Sequence, residues 1–114
     1  MMQDWNAYRN ALQVRIGEFA QLNPDVMNGL AMISGAAEKG NKLEPKVHEL
    51  IALAVAVTTR CDGCIATHTQ KAAELGATRE EIAEALGVAI ALNAGPALVY
   101  SARVLDTYAS LLNK

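Results

Sequence analysis

The sequence predicts an all-α protein built from six helices, and three observations support this fold class. Apolar residues recur every three or four positions along most of the chain, which is the spacing of one helix face. All 3 prolines stand where the first turn of a helix is expected, and N-cap residues precede the helical patterns. The 114 residues form one domain spanning residues 1–114, with the main motifs between about residues 43 and 96.

The first three helices are predicted from apolar stripes and two prolines. The first covers about residues 5–22, with a stripe made of Trp5, Tyr8, Leu12, Ile16 and Phe19. Asn23 caps the second helix, whose expected inner face is Val26, Met27, Leu30, Ile33, Ser34 and Ala37. The third begins at Pro45 and continues to about residue 59. Its segment 50–57 is apolar on every side, so we expect a central helix that is buried all round.

The last three helices are predicted from turn and capping signals. The fourth begins at Cys61 or Asp62 and ends near Gly76, a residue typical of the C′ position. The segment 78–81 is a capping box that begins the fifth helix, and a turn at residues 93–96 separates the fifth from the sixth. The expected inner faces are Ile82, Leu86, Ala89 and Ile90 in the fifth helix and Leu98, Val104 or Leu105, Tyr108 and Leu111 in the sixth.

Charge and hydropathy exclude several functions. The net charge is −2 and Lys and Arg form no block, so we expect neither a nucleic acid nor a membrane as partner. Residues 1–5 lack the pattern of a secretory signal, and the longest apolar run, residues 50–57, is shorter than the ~20 residues that a membrane span needs. We therefore expect a cytoplasmic protein. Its charged fraction of 19% is low, which suggests surface buried between subunits of a homo-oligomer.

The segment from Cys61 to His68, Cys-Asp-Gly-Cys-Ile-Ala-Thr-His, carries the chemistry. Structural disulfides are rare in the cytosol, so two cysteines spaced C-x-x-C indicate redox chemistry or metal binding. A helix N-terminus stabilises a thiolate through its free N–H groups and its dipole. His68 lies four residues after Cys64, on the same helix face, where it can carry a proton to or from the thiol. The charge of Asp62 opposes a nearby thiolate.

Glu49 is the fourth candidate for the site. It lies in the third helix, immediately before the apolar run. If the third and fourth helices are antiparallel neighbours, Glu49 and His68 lie at the same depth on either side of the loop that carries Cys61. This arrangement would form a relay in which Glu49 orients His68 and His68 activates a thiol.

Zinc binding is the main alternative to redox chemistry. His48, Cys61, Cys64 and His68 could supply four tetrahedral ligands. Two considerations favour a dithiol without a metal or another cofactor. The domain can bury a core large enough to fold without a metal, and Cys64 and His68 lie in one helix, whereas structural zinc sites usually draw ligand pairs from separate elements. Inert cysteines are a third alternative.

The stretch from Glu49 through Cys61-x-x-Cys64-x-x-x-His68 to the segment 76–82 resembles the carboxymuconolactone decarboxylase superfamily. The similarity is greatest to its alkylhydroperoxidase D-like branch. The resemblance implies an all-α fold, assembly into trimers or hexamers, and peroxidase or disulfide-reductase activity. It implies Cys64 as the nucleophile, Cys61 as the resolving cysteine, and His68 and Glu49 as the proton relay. The implied partners are a hydroperoxide substrate and an external dithiol or thiol-protein reductant.

Gly63 departs from the pattern of that branch. The best-known members have a histidine between the two cysteines, where this sequence has glycine. Loss of a relay histidine weakens peroxide chemistry more than thiol exchange. The sequence therefore supports a thiol-dependent peroxidase as the first hypothesis and a dithiol–disulfide adaptor or reductase as the second. A zinc-binding helical interaction module is the hypothesis from another class.

Overall fold

The structure, a computed structural model, describes residues 1–112 and contains five α-helices and no strand within that range. The helices are α1 (Trp5–Leu22), α2 (Pro24–Glu38), α3 (Pro45–Thr59), α4 (Asp62–Glu74) and α5 (Arg79–Leu112). The all-α class is confirmed. The count of six helices is not, because the predicted fifth and sixth helices form one helical element of 34 residues.

The break inside α5 lies where the sequence predicts a turn. Asn93 has non-helical angles, φ −161° and ψ 42°, and Pro96 follows inside the helix. Pro96 therefore lies in the first turn of the segment that follows the break, where the missing N–H of proline leaves no intrahelical hydrogen bond unmade. The Asn93 Nδ2 donates to Thr58 Oγ1 at 3.1 Å, which ties the break to the end of α3. The turn signal was therefore correct, and the chain reverses there. The first half of α5 runs along α3, from the Lys46–Glu81 ion pair to the contact between Thr58 and Asn93. The second half returns along α4, so that the Tyr108 hydroxyl donates to the Ala77 carbonyl just before the start of α5.

Local capping signals agree with the structure at the start of α5. The Thr78 N–H donates to Glu81 Oε1 at 2.9 Å, and the Glu81 N–H donates to Thr78 Oγ1 at 3.1 Å. This reciprocal pair is the predicted capping box. Gly76 has a φ of +85°, the left-handed conformation that ends α4. These two features fix the short connection between α4 and α5.

The core lies where α3, α4 and α5 pack together, with the first turn of α1 added to it. Leu53 and Val57 of α3, Ile65 of α4 and Ile82 of α5 are fully buried, and so is Trp5 of α1. The packing of α3 against α4 places the helix that carries Glu49 directly beside the helix that carries the cysteine motif. This contact determines the geometry of the candidate site.

Several predicted inner faces are exposed in the single chain. Ile16 and Phe19 of α1 are 44% and 46% exposed, and α2 has no buried residue. The expectation that α3 is buried all round is wrong, because Ile51 is 49% and Val55 is 54% exposed. An apolar stripe is buried only where another element covers it. One chain supplies no cover for these faces.

One 18-residue window of α5 has a mean hydropathy of 1.7, which makes the helix long and apolar enough to cross a membrane by length and composition alone. The core helix of a water-soluble domain passes the same test. In this chain α5 packs against both α3 and α4, and it buries Ile82, Leu86, Ala97 and Val104 along its length. Of the residues in this window, 22% are buried within the single chain.

Asp106 of α5 ties the N-terminal segment to the domain. Its Oδ2 accepts hydrogen bonds from the Met2 N–H at 2.7 Å and from Trp5 Nε1 at 2.8 Å. Burial raises the pKa of Asp106, but these hydrogen bonds and nearby positive charge outweigh burial and leave the pKa below its usual value. A lowered pKa in the folded state stabilises the fold above the unfolded pKa, and this stabilisation is lost as pH falls through the folded pKa.

We therefore expect Asp106→Asn to lower the free energy of unfolding by about 1 kcal/mol at pH 7. The difference from the wild type should shrink as pH falls below about 4, where the carboxylate of the unfolded chain takes up a proton before the folded one does. Urea unfolding across this pH range measures both quantities. Glu84→Gln, at an exposed position of the same helix, is the control. A difference that stays constant down to pH 3 would contradict the assignment to the Asp106 charge.

Candidate redox site

The two cysteines lie at the junction between α3 and α4. The chain turns at Arg60, which has left-handed angles of φ 57° and ψ 50°, and Cys61 is then the N-cap of α4. The Cys61 Sγ accepts a hydrogen bond from the Cys64 N–H at 3.2 Å. The Cα atoms of Cys61 and Cys64 are 5.2 Å apart, and their Sγ atoms are within disulfide bonding distance. Both cysteines are half-buried at a helix N-terminus, where backbone N–H groups stabilise negative charge.

Glu49 and His68 meet across the contact between α3 and α4. The His68 Nδ1 lies 2.8 Å from Glu49 Oε2, with 31% of the His68 side chain and 14% of the Glu49 side chain exposed. A carboxylate accepts the Nδ1–H of the neutral ring, and this leaves Nε2 as the nitrogen that can take up a proton. The structure therefore brings together two residues that the sequence places 19 positions apart. The antiparallel arrangement of α3 and α4 is what joins them.

A cavity of about 430 Å³ borders this pair between α2, α3 and α4. Glu49 and His68 both line it, together with apolar side chains that include Ile51 and Ala52. His48 lines it as well. The cavity gives a small molecule a route to the His68–Glu49 pair from the side of α2.

Asp62 is held by an arginine that the sequence analysis missed. The Arg103 Nε donates to Asp62 Oδ1 at 2.7 Å, and its Nη2 donates to Asp62 Oδ2 at 2.6 Å. The hydrogen bond with Asp62 raises the pKa of Arg103 above its ordinary value. The two residues are 41 positions apart, and no local pattern in the sequence connects them. The negative charge beside the cysteines is therefore neutralised by a partner from α5.

Gly63 lies under helix α1. A Cβ atom at this position would come within 2.9 Å of Leu12 Cδ2 and 3.8 Å of Tyr8 Oη. A histidine at position 63 would therefore require the Leu12 side chain to move. The structure gives a packing reason for glycine between the cysteines, and it leaves His68 as the histidine of the site.

The zinc alternative finds no ligand set in the structure. Within residues 1–112, no three side chains of His, Cys, Asp or Glu converge where they could hold one metal ion. His48 borders the cavity beside α2, and His68 is bonded to Glu49. The four zinc ligands proposed from the sequence are therefore not gathered around one point.

A bundle of helices with a cysteine pair at the start of one helix and a Glu–His pair beside it defines a class of small helical dithiol proteins. The chain belongs to the carboxymuconolactone decarboxylase family, because its residues 24–107 match the model of that family. The alkylhydroperoxidase D-like branch is consistent with this membership.

Three similar proteins illustrate the relationship. An uncharacterized protein of Haemophilus influenzae is 44% identical over 108 residues, covering 95% of this chain and 96% of the relative. An uncharacterized protein of Cupriavidus necator is 32% identical over 111 residues, covering 97% and 98%. The crystal structure of a carboxymuconolactone decarboxylase family protein from Legionella pneumophila, in its apo form, matches with a TM-score of 0.86 at 36% identity. The match covers 91% of this chain and 93% of that one.

Proposed function

We propose that this protein is a thiol-dependent peroxidase that reduces alkyl hydroperoxides through Cys61 and Cys64. The observation that carries the proposal is a cysteine pair within bonding distance at a helix N-terminus, one turn before a histidine that is bonded to a glutamate. The cysteines supply two electrons, and the His68–Glu49 pair supplies a proton carrier. Together they meet the requirements of peroxide reduction without a metal or an organic cofactor.

In the proposed reaction the Cys64 thiolate attacks an oxygen of the hydroperoxide, and the O–O bond breaks. His68 delivers a proton to the leaving alkoxide, which departs as an alcohol, and Cys64 becomes a sulfenic acid. The Cys61 sulfur then attacks the Cys64 sulfur, the S–O bond breaks, and water leaves after protonation of the oxygen. An external dithiol or thiol-protein reductant returns two electrons and two protons to the disulfide by thiol exchange.

The test is consumption of tert-butyl hydroperoxide by the purified protein in the presence of a dithiol reductant. We expect turnover that depends on the concentrations of both reagents. A rate no higher than that of a Cys64→Ser control would refute the peroxidase proposal. The proposal also places the protein in the cytoplasm, because the cycle needs a compartment that keeps thiols reduced.

A dithiol–disulfide adaptor is the second candidate function, and Gly63 favours it. Leu12 occupies the space beside Gly63, so the relay histidine of the best-known relatives is replaced by an apolar contact. This change leaves thiol exchange intact. Reduction of a small aromatic disulfide by the reduced protein tests the candidate: we expect fast exchange that Cys61→Ser slows. Equal rates for the two proteins would count against it.

We also propose that a second copy of this chain covers the apolar groove between α3 and α5 in a homo-oligomer. Ile51 and Val55 of α3 and Val88 and Leu92 of α5 line this groove. Their exposed fractions run from 49% to 84%, and none of the residues that line the groove is charged. Contact with a copy would therefore remove apolar surface from water without burying a charge. The resemblance to the family favours a trimer or a hexamer.

Leu92→Glu should dissociate the oligomer, because a carboxylate buried in an apolar contact has no partner. Light scattering after gel filtration measures the mass of the wild type and of the variant. Glu84→Lys, at an exposed position of the same helix, is the control and should keep the wild-type mass. A monomeric wild type that partitions onto lipid vesicles would contradict the proposal and favour a membrane surface as the cover.

A further inference from the structure

We propose that Arg103 is a positioning residue that cancels the charge of Asp62 and so sustains the reactive thiolate of the Cys61–Cys64 pair. The inference rests on the proposed dithiol function and extends it to a residue of α5. Asp62 directly follows Cys61 and precedes Cys64 by two positions, in the first turn of α4. An unpaired carboxylate at this place would oppose a thiolate on either cysteine.

The geometry of Arg103 suits a fixed countercharge. Two of its nitrogens each donate to a different oxygen of Asp62, at 2.7 and 2.6 Å, so the contact is bidentate and fixes the guanidinium against the carboxylate. The Arg103 Cζ lies 5.1 Å from the centroid of the Trp5 ring and 5.6 Å from that of the Tyr100 ring. Both aromatic rings therefore lie within cation–π distance of the guanidinium and help to hold it in place. The side chains of Arg103 and Asp62 are only 20% and 30% exposed, so water screens the pair weakly.

The other polar groups around the cysteine turn do not replace Arg103. Tyr8 of α1 lies beside Gly63 and carries no cationic group, and His68 is engaged by Glu49. Arg60, at the end of α3, is exposed to solvent. Arg9 of α1 donates to the Ala66 carbonyl. Asp106, one turn after Arg103 in α5, is a carboxylate that accepts from the Met2 N–H and from Trp5 Nε1, so it supplies no positive charge to the cysteines.

The ion pair acts on one redox state only. The disulfide carries no charge, whereas its reduction by two electrons and one proton yields a thiolate and a thiol. A neutralised Asp62 therefore favours the reduced pair, as the N–H groups at the start of α4 also do. Removing the Arg103 charge should raise the pH at which the more acidic thiol ionises and shift the equilibrium with glutathione toward the disulfide.

The test compares Arg103→Gln, Asp62→Asn and the double variant, each reduced and then alkylated across a range of pH. Mass spectrometry reports the modification of Cys61 and Cys64 separately. We expect Arg103→Gln to raise the midpoint of the more acidic cysteine by about one pH unit, and Asp62→Asn to lower it. The double variant should return to within a few tenths of a unit of the wild type. Lys46→Gln, which removes the 2.7 Å ion pair with Glu81 away from the site, should leave the midpoint unchanged.

A purely structural role for Arg103 would give a different pattern. It would change the melting temperature of Arg103→Gln without moving the midpoint, and Asp62→Asn would restore nothing. If Arg103→Gln fails to fold, the nearly isosteric Asp62→Asn variant decides the question alone. An unchanged or raised alkylation midpoint in Asp62→Asn overturns the inference. Alkylation needs no peroxide, so this test is independent of the peroxidase assay. If the midpoints shift as expected but the protein reduces no peroxide, the proposed peroxidase is rejected and the role of Arg103 is retained.

Discussion

Replacing Cys64 with serine is expected to abolish peroxide turnover, with a loss of at least about a thousandfold in kcat/KM. A serine hydroxyl stays protonated at neutral pH and is a far weaker nucleophile than a thiolate at a helix N-terminus. The variant keeps the shape of the site, because serine differs from cysteine only in having oxygen in place of sulfur. The half-buried Cys61 beside it is unchanged. Steady-state consumption of tert-butyl hydroperoxide measures the effect.

Cys61→Ser is the matched variant and should behave differently. It retains Cys64, so one equivalent of peroxide should still be consumed in a single turnover, and a sulfenic acid should accumulate and be trapped by dimedone. Multiple turnover should then depend on direct attack by the external thiol. If Cys61→Ser lost the single turnover and Cys64→Ser kept it, the roles of nucleophile and resolving cysteine would be exchanged.

Replacing His68 with glutamine is expected to lower kcat for peroxide reduction by about a hundredfold. Glutamine can still contact Glu49 but cannot carry a proton, and general acid–base catalysis is typically worth a factor of about 10²–10⁴. Glu49→Gln should cost less, because it removes the charge that stabilises a protonated His68 and keeps the ring in place. The dependence of kcat on pH should flatten in His68→Gln, and stopped-flow peroxide consumption across pH measures this.

His48→Gln is the control for the His68 prediction. His48 lines the same cavity, but it is not the histidine bonded to Glu49. We expect its kcat to stay within about threefold of the wild type. A loss in His48→Gln as large as that in His68→Gln would contradict the relay. Such a loss would instead favour the zinc site, in which both histidines serve as ligands.

The helices that carry the site could be predicted because their signals are local. The N-cap at Asn23, the capping box that begins at Thr78 and the C′ glycine at position 76 each depend on residues within a few positions of one another. The predicted and observed bounds of α1 agree for the same reason. Helical periodicity also indicates which residues of a helix share a face, but it does not identify the element that covers that face. The stripe of α2 is therefore exposed although the helix was correctly predicted.

The sequence by itself determined the all-α class and the relative placement of Cys61, Cys64 and His68, because these residues lie within about two turns of one helix whose geometry is regular. Glu49 required one further step, the antiparallel packing of neighbouring helices. Only the tertiary structure decided that the second half of α5 returns along α4, and that Arg103 neutralises Asp62. The position of this half of α5 beside α4 brings these last two residues together. That position results from the packing of the whole core, which no short-range pattern in the chain specifies.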